Sequence, residues 1–256
     1  MNTKLLLFLL FVLFLFPACA KKNTAPAETE LATEKQTQTK KVLVFTKTLG
    51  WRHKSIETGV ATIKDFGKTH NFVVEHTEDS THFSTAFLPQ YDAIVFLSTT
   101  GNVLDDDAQK KFEKYIQGGG SYLGIHAAAD TEYDWPWYGK LVGGYFESHP
   151  NDPNIRKATI IKTTNKHRST SHFETSFSRD DEWYNYKEIN PEITALLNLD
   201  ETSYEGGTNG KKHPIAWYHL YDGGKAFYTG GGHTKESYNE VGFRKHLEEA
   251  MLWCLE

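Results

Sequence analysis

Tyr122-Leu123-Gly124-Ile125-His126-Ala127-Ala128-Ala129-Asp130 is the stretch that decides the fold. Its first four residues form a short apolar run of the kind a strand shows when both faces are covered. The run ends at an imidazole and passes into small, helix-compatible residues. That is the strand-to-helix turn that presents a reactive side chain in hydrolase-type elbows. His126 and Asp130 are four apart, so an immediate helix would place them on one face.

The same alternation continues on both sides. Val42-Leu43-Val44-Phe45 precedes Thr46, and Ile56, Val60 and Ile63 then recur at helical spacing. Phe72-Val73-Val74 and Ala93-Ile94-Val95-Phe96-Leu97 read as further strands. Asp105 is placed to cap a helix carrying Ala108, Phe112, Tyr115 and Ile116 on one face, and Gly118-Gly119-Gly120 stops it. In the C-terminal half, residues 158–162, 194–198, 215–221 and 225–228 read as strands, the last two joined as a hairpin by Asp222-Gly223-Gly224. Ser237 to Glu240 has capping-box spacing, and Phe243, Leu247, Ala250, Met251 and Cys254 form the stripe of a closing helix. The expected class is α/β: a mostly parallel central sheet flanked by helices, with an antiparallel extension in the C-terminal half. Ligands in such sheets bind beyond the carboxyl ends of the strands.

Met1-Asn2-Thr3-Lys4 is followed by an unbroken apolar run from Leu5 to Phe16, a secretory core too short to span a bilayer comfortably. Pro17-Ala18-Cys19 follows and resembles a bacterial lipobox. The reading is a lipoprotein-type signal peptide over residues 1–18, lipidation of Cys19, and a disordered tether over 19–40 whose polar composition cannot support a core. Residues 41–256 then form one domain. The protein is expected to be exported and lipid-anchored to a bacterial membrane, facing the periplasm or cell surface. With 28 Lys and Arg against 33 Asp and Glu, the balance is mildly acidic and argues against a nucleic-acid partner. Cys254 reads as a packed thiol.

Chemistry, if present, rests on dispersed histidines. Gly50-Trp51-Arg52-His53-Lys54-Ser55 fills the first strand-to-helix turn with an imidazole, a guanidinium and helix N-terminal amides. Ser55 reads there as the helix cap. His149 lies in Ser148-His149-Pro150, after the aromatic run Asp134-Trp135-Pro136-Trp137-Tyr138, and His233 follows three glycines at a strand end. Asp181-Glu182-Trp183-Tyr184-Asn185-Tyr186 reads either as a solvated turn or as a sugar subsite of carboxylates and ring faces. His213, Ile215, Trp217 and His219 share a strand face, with His219 read as a sheet-surface residue. Each histidine also has a plain reading, as a core or cap residue satisfied by backbone. No HExxH, CxxC or Walker sequence occurs, so a divalent metal has to be argued from dispersed ligands.

Taken together and in order, the 50–56 turn, Gly124-Ile125-His126-Ala127 with Asp130, Ser148-His149-Pro150, Asp181-Glu182-Trp183-Tyr184 and Gly231-Gly232-His233-Thr234 resemble the trehalose-utilisation (ThuA-like) family. That family is similar in fold to class I glutamine amidotransferases, whose elbow carries a cysteine. His126 stands in that place here, so amidotransferase chemistry is not expected. The resemblance implies sugar catabolism, alongside enzymes that oxidise a glycoside to its 3-keto form. It suggests His126, His233 and Asp130 as catalytic residues. Arg52, His53, Trp135, His149, Glu182 and Trp183 are the expected sugar contacts. His126, His149 and His233 are the expected ligands if a divalent metal is bound. The expected function is that of a sugar-catabolic enzyme acting on a glycoside or oligosaccharide, with cleavage of a 3-keto-glycoside by acid/base or metal-assisted elimination and hydration as the chemistry the resemblance suggests. A noncatalytic carbohydrate-binding lipoprotein is the rival.

Overall fold

The computed structural model describes residues 39–256. The expected leader, Cys19 and nearly all of the tether lie outside the described residues. From the N-terminal side the elements are β1 (Lys41–Phe45), α1 (Ile56–His70), β2 (Val73–Thr77), β3 (Ala93–Leu97), α2 (Asp106–Gln117), β4 (Ser121–Ile125) and α3 (Pro136–Val142). Then come β5 (Tyr145–Ser148), β6 (Ile155–Lys162), β7 (Ser176–Glu182), β8 (Asn185–Lys187), β9 (Thr194–Asp200), β10 (Pro214–Tyr221), β11 (Gly224–Thr229) and α4 (Val241–Cys254).

Nine strands make one sheet in the order β2-β1-β3-β4-β11-β10-β9-β6-β7. The half from β2 to β11 is parallel, and the half from β11 to β7 is antiparallel. The hinge between the halves is the β10–β11 hairpin, which returns the chain into the parallel half. Tyr228 pairs with Gly124 and Thr229 with Ile125. The loops that follow β4 and β11 therefore leave the sheet side by side, bringing His126 and His233 together although 107 residues separate them.

Both faces are covered, as the continuous apolar strands require. Phe227 packs against His246 and Trp253 of α4. Its neighbour Tyr228 stacks on Trp217 from the opposite face, and the Trp217 indole donates to the Val142 carbonyl of α3. Helix α2 begins at Asp105, whose side chain accepts from the Ala108 amide, and ends at Gly118. Cys254 is buried and has no cysteine partner among the described residues. Among the described residues no helix is long and apolar enough to cross a membrane.

Three local expectations are corrected. Ser237 lies in a 3-10 turn before α4, and Glu240 takes the N-cap position without a side-chain bond, so no capping box forms. His219 is buried rather than on the sheet surface, because its Nε2 donates to the Lys140 carbonyl at the end of α3. Asp181 and Glu182 end strand β7, and Asn185 and Tyr186 begin β8, where one turn was expected.

Candidate functional site: a histidine and carboxylate cluster

His126 follows β4 directly and adopts a left-handed backbone with φ 52°. That conformation costs a residue bearing a Cβ about 1–2 kcal/mol, so its surroundings must hold it. The Tyr228 hydroxyl donates to the His126 carbonyl at 2.8 Å, and His126 Nδ1 donates to the Gly230 carbonyl at 2.9 Å. A carbonyl only accepts, so the proton sits on Nδ1 and a neutral His126 keeps a lone pair at Nε2. Nε2 lies 3.2 Å from His233 Nδ1 and 3.3 Å from Glu182 Oε2.

The His233 loop is fixed just as tightly. Gly232 has φ 109°, and a Cβ there would come within 2.8 Å of the Tyr238 hydroxyl, so only glycine fits. Its carbonyl accepts from Ser55 Oγ at 3.0 Å. Ser55 does take the N-cap position of α1, where its carbonyl accepts from the Gly59 amide, but its hydroxyl spans to this loop in place of a side-chain cap bond. The amides of Gly232 and His233 donate to the two oxygens of Asp181 at 2.8 and 3.1 Å. Asp181 is fully buried and also accepts from Ser237 Oγ and Arg179 Nη1.

Glu182, next to this anchor, places Oε2 2.9 Å from His233 Nδ1, while Oε1 accepts from the Asn154 amide at 2.7 Å. Burial opposes ionisation of Glu182, but hydrogen bonds and charge from His126 and His233 hold its carboxyl well below the usual range. His53 completes the group, its ring centroid 4.8 Å from that of His126 and 5.0 Å from that of His233. Its buried Nδ1 has no hydrogen-bond partner among the described residues. Burial first, and then the neighbouring histidines, push the His53 imidazole down to about 2, so it is neutral at physiological pH.

His53, His126, Glu182 and His233 thus present ligand atoms all within 4.8 Å of one another. This differs from the expected metal set of His126, His149 and His233. His149 Nδ1 bonds the Pro150 carbonyl, and its Nε2 stands 3.6 Å from Glu182 Oε1, on the wall beside the cluster. His53 and Glu182, expected as sugar contacts, take the remaining places.

A cleft of about 680 Å³ opens over the cluster, lined by Trp51, His53, Lys54, Asp130, Phe146, His149, Glu182, Tyr184 and His233 among others. His126 lies beneath, fully buried, and the ring of Tyr184 covers it at 4.4 Å between centroids. His126 is thus not among the residues that line the cleft. Asp130 lines the wall and accepts from the Tyr133 hydroxyl at 2.6 Å; burial raises its carboxyl above the ordinary value.

Three expected sugar contacts are not brought to the cleft. Trp135 is buried between Trp137 and Tyr138, with its indole donating to Glu113. Trp183 donates to the Arg156 carbonyl and packs under Arg179. Arg52 is engaged by Glu57 and Glu78. The sequence reading missed Tyr184, Asn154 and Asp181 as site residues. Asp181 and Tyr184 flank Glu182 in the motif already singled out, whereas Asn154 sits in Asn151-Asp152-Pro153-Asn154, a turn-rich segment with no periodicity to mark it.

Fold and cleft together define an α/β protein with an imidazole-rich site at the carboxyl edge of its parallel strands. The chain belongs to the trehalose-utilisation (ThuA) family, whose model matches residues 41–254. The family is one of sugar metabolism. Among solved structures it is similar to a ThuA-like protein from Bacteroides uniformis, with 24% identity and TM-score 0.70, over 84% of this chain and 91% of that one. A ThuA-like protein from Parabacteroides merdae matches with 17% identity and TM-score 0.69, over 85% of this chain and 90% of that one. A β-galactosidase from Bacillus circulans sp. alkalophilus matches with 10% identity and TM-score 0.51, over 84% of this chain but 30% of that one. At these identities the likeness is one of fold. No curated protein matches the chain.

Proposed function

We propose that the chain is a sugar-catabolic enzyme that cleaves a glycoside or oligosaccharide already oxidised to a 3-keto form, by elimination followed by hydration. The observation that carries this reading is the convergence of three imidazoles and a carboxylate at the floor of an open cleft. A keto group acidifies the neighbouring C–H. A wall base takes that proton, the glycosidic C–O bond breaks, and the departing oxygen collects a proton. Water then adds to the resulting enone, so the net reaction is hydrolysis and needs no oxidant.

Asp130 and His149, both on the wall, are the groups that take and return the proton. His53, Glu182 and His233, which line the floor of the cleft, face the place where negative charge develops on the keto oxygen. That charge calls for a positive centre in the floor. Export and lipid anchoring through Cys19 would put the reaction at a membrane surface, on glycosides outside the cytoplasm.

The test is purified protein incubated with 3-keto-glycosides and, separately, with the unoxidised sugars. Release of the leaving alcohol from the keto form alone, lost in His233→Ala, is the expected result. Binding of unoxidised glycan with no product from either substrate would reject catalysis in favour of a carbohydrate-binding role.

A further inference from the structure

We propose that His53, His126, Glu182 and His233 form a binding site for one divalent first-row transition cation of the zinc class. The donor spacing matches such an ion. Zinc ligands lie about 2.0–2.2 Å from the ion, which puts neighbouring donors of a tetrahedral set roughly 3.3 Å apart. His126 Nε2, His233 Nδ1 and Glu182 Oε2 are separated by 3.2, 3.3 and 2.9 Å. Three corners of such a site are already in place.

The orientation of the donors points the same way. His126 Nδ1 is turned to the Gly230 carbonyl, which leaves Nε2 facing Glu182 Oε2 and His233. His53 adds a buried Nδ1 that has no hydrogen-bond partner among the described residues. A cation in the middle of the cluster gives these convergent atoms a common partner.

Outer support for the ligands is also in place. Metal-binding histidines usually donate their far nitrogen to a carbonyl, and ligating carboxylates are themselves hydrogen-bonded. Gly230 does the first for His126, and Asn154 does the second for Glu182. Three nitrogens and one oxygen suit zinc-class ions and disfavour magnesium and calcium, which take oxygen ligands. With neutral imidazoles and one carboxylate, a divalent ion leaves the floor with net positive charge. When bound it would act as a Lewis acid toward a substrate oxygen. Only that use of the ion rests on the sugar-processing reading; the site itself rests on the donors.

The experiment uses the full chain, stripped with a chelator, desalted and titrated with Zn²⁺, with bound metal counted by elemental analysis. A parallel Co²⁺ titration is followed by its visible absorption. The expected result is about one ion per chain and intense low-coordinate cobalt bands. In His233→Ala and Glu182→Gln, affinity should fall by more than the roughly 10–100-fold that losing an outer hydrogen bond costs. His53→Ala provides a second, less disruptive ligand deletion, and Trp135→Phe should bind as the wild type does. A stripped wild type that takes up no Zn²⁺ at micromolar concentration overturns the proposal, as do folded ligand variants with unchanged affinity. Stoichiometric binding without turnover of 3-keto-glycosides would uphold the ion site and reject the sugar reading.

Discussion

Replacing Asp181 by Asn should weaken both the fold and the site, and the size of the effect follows from the bonds involved. Asp181 Oδ1 accepts from the amides of Glu182 and His233, while Oδ2 accepts from the Gly232 amide and Ser237 Oγ and pairs with Arg179. An asparagine has one oxygen. If that oxygen stays toward Arg179, its NH₂ group confronts the two amides of Glu182 and His233 and strands both. Each buried orphan costs about 1–3 kcal/mol, giving a loss of about 2–6 kcal/mol, with the middle of that range the best single value. Arg179 keeps its bond to Glu240, which spares the full penalty of an unpaired buried charge. Urea denaturation of the stripped protein measures the loss. Because the stranded amides belong to Glu182 and His233, ion affinity should also fall. A variant within about 1 kcal/mol of wild type and with undiminished ion affinity would refute this account of how the loop is held.

Asp130→Asn should keep the ion and lower kcat by about 10²–10⁴, the usual worth of a positioned base. Burial raises the Asp130 carboxyl, so in the wild type the acid limb of the rate profile should lie above the ordinary aspartate range, with activity lost as pH falls through it. Trp135→Phe should cost about 1–2 kcal/mol from the lost bond to Glu113 and weakened stacking, with kcat and KM unchanged; a rise in KM would return Trp135 to the cleft. His246 is buried, its Nδ1 donates to the Ser169 carbonyl, and burial pushes it down to about 3. The unfolded chain therefore binds its proton first: this contribution is intact above pH 6.5 and is lost at about 1.4 kcal/mol per unit as pH falls below that value. His246→Phe should flatten the stability slope between pH 6.5 and pH 5 by about one proton, and an unchanged slope would contradict the assignment.

The centre of the parallel half was legible because β1, β3 and β4 are buried nearly along their whole length and read as short apolar runs. Strand β7 was not, for an identifiable reason. Its inward positions carry Phe177, Arg179 and Asp181, and the last two bury an ion pair where periodicity expects apolar side chains. Hydrophobic alternation cannot detect a strand whose inner face is charged. Helix α3 was hidden by its shortness, although Pro136 at its start and Gly143 at its left-handed end were both visible signals. At the site, His126 and His233 could be singled out because each ends a strand. Their contact depends on β11 crossing back to lie beside β4, and His53 and Glu182 join them only through tertiary packing. Residue types were therefore readable, whereas the division between floor and wall was a matter of topology.

The central claim is that the floor cluster carries the chemistry through one bound cation. It is tested most directly by titrating the stripped chain with Zn²⁺ while following release of the leaving alcohol from a 3-keto-glycoside. Turnover should rise in proportion to bound ion and stop rising at about one ion per chain. Full turnover by the stripped protein, or none at full occupancy, would contradict it.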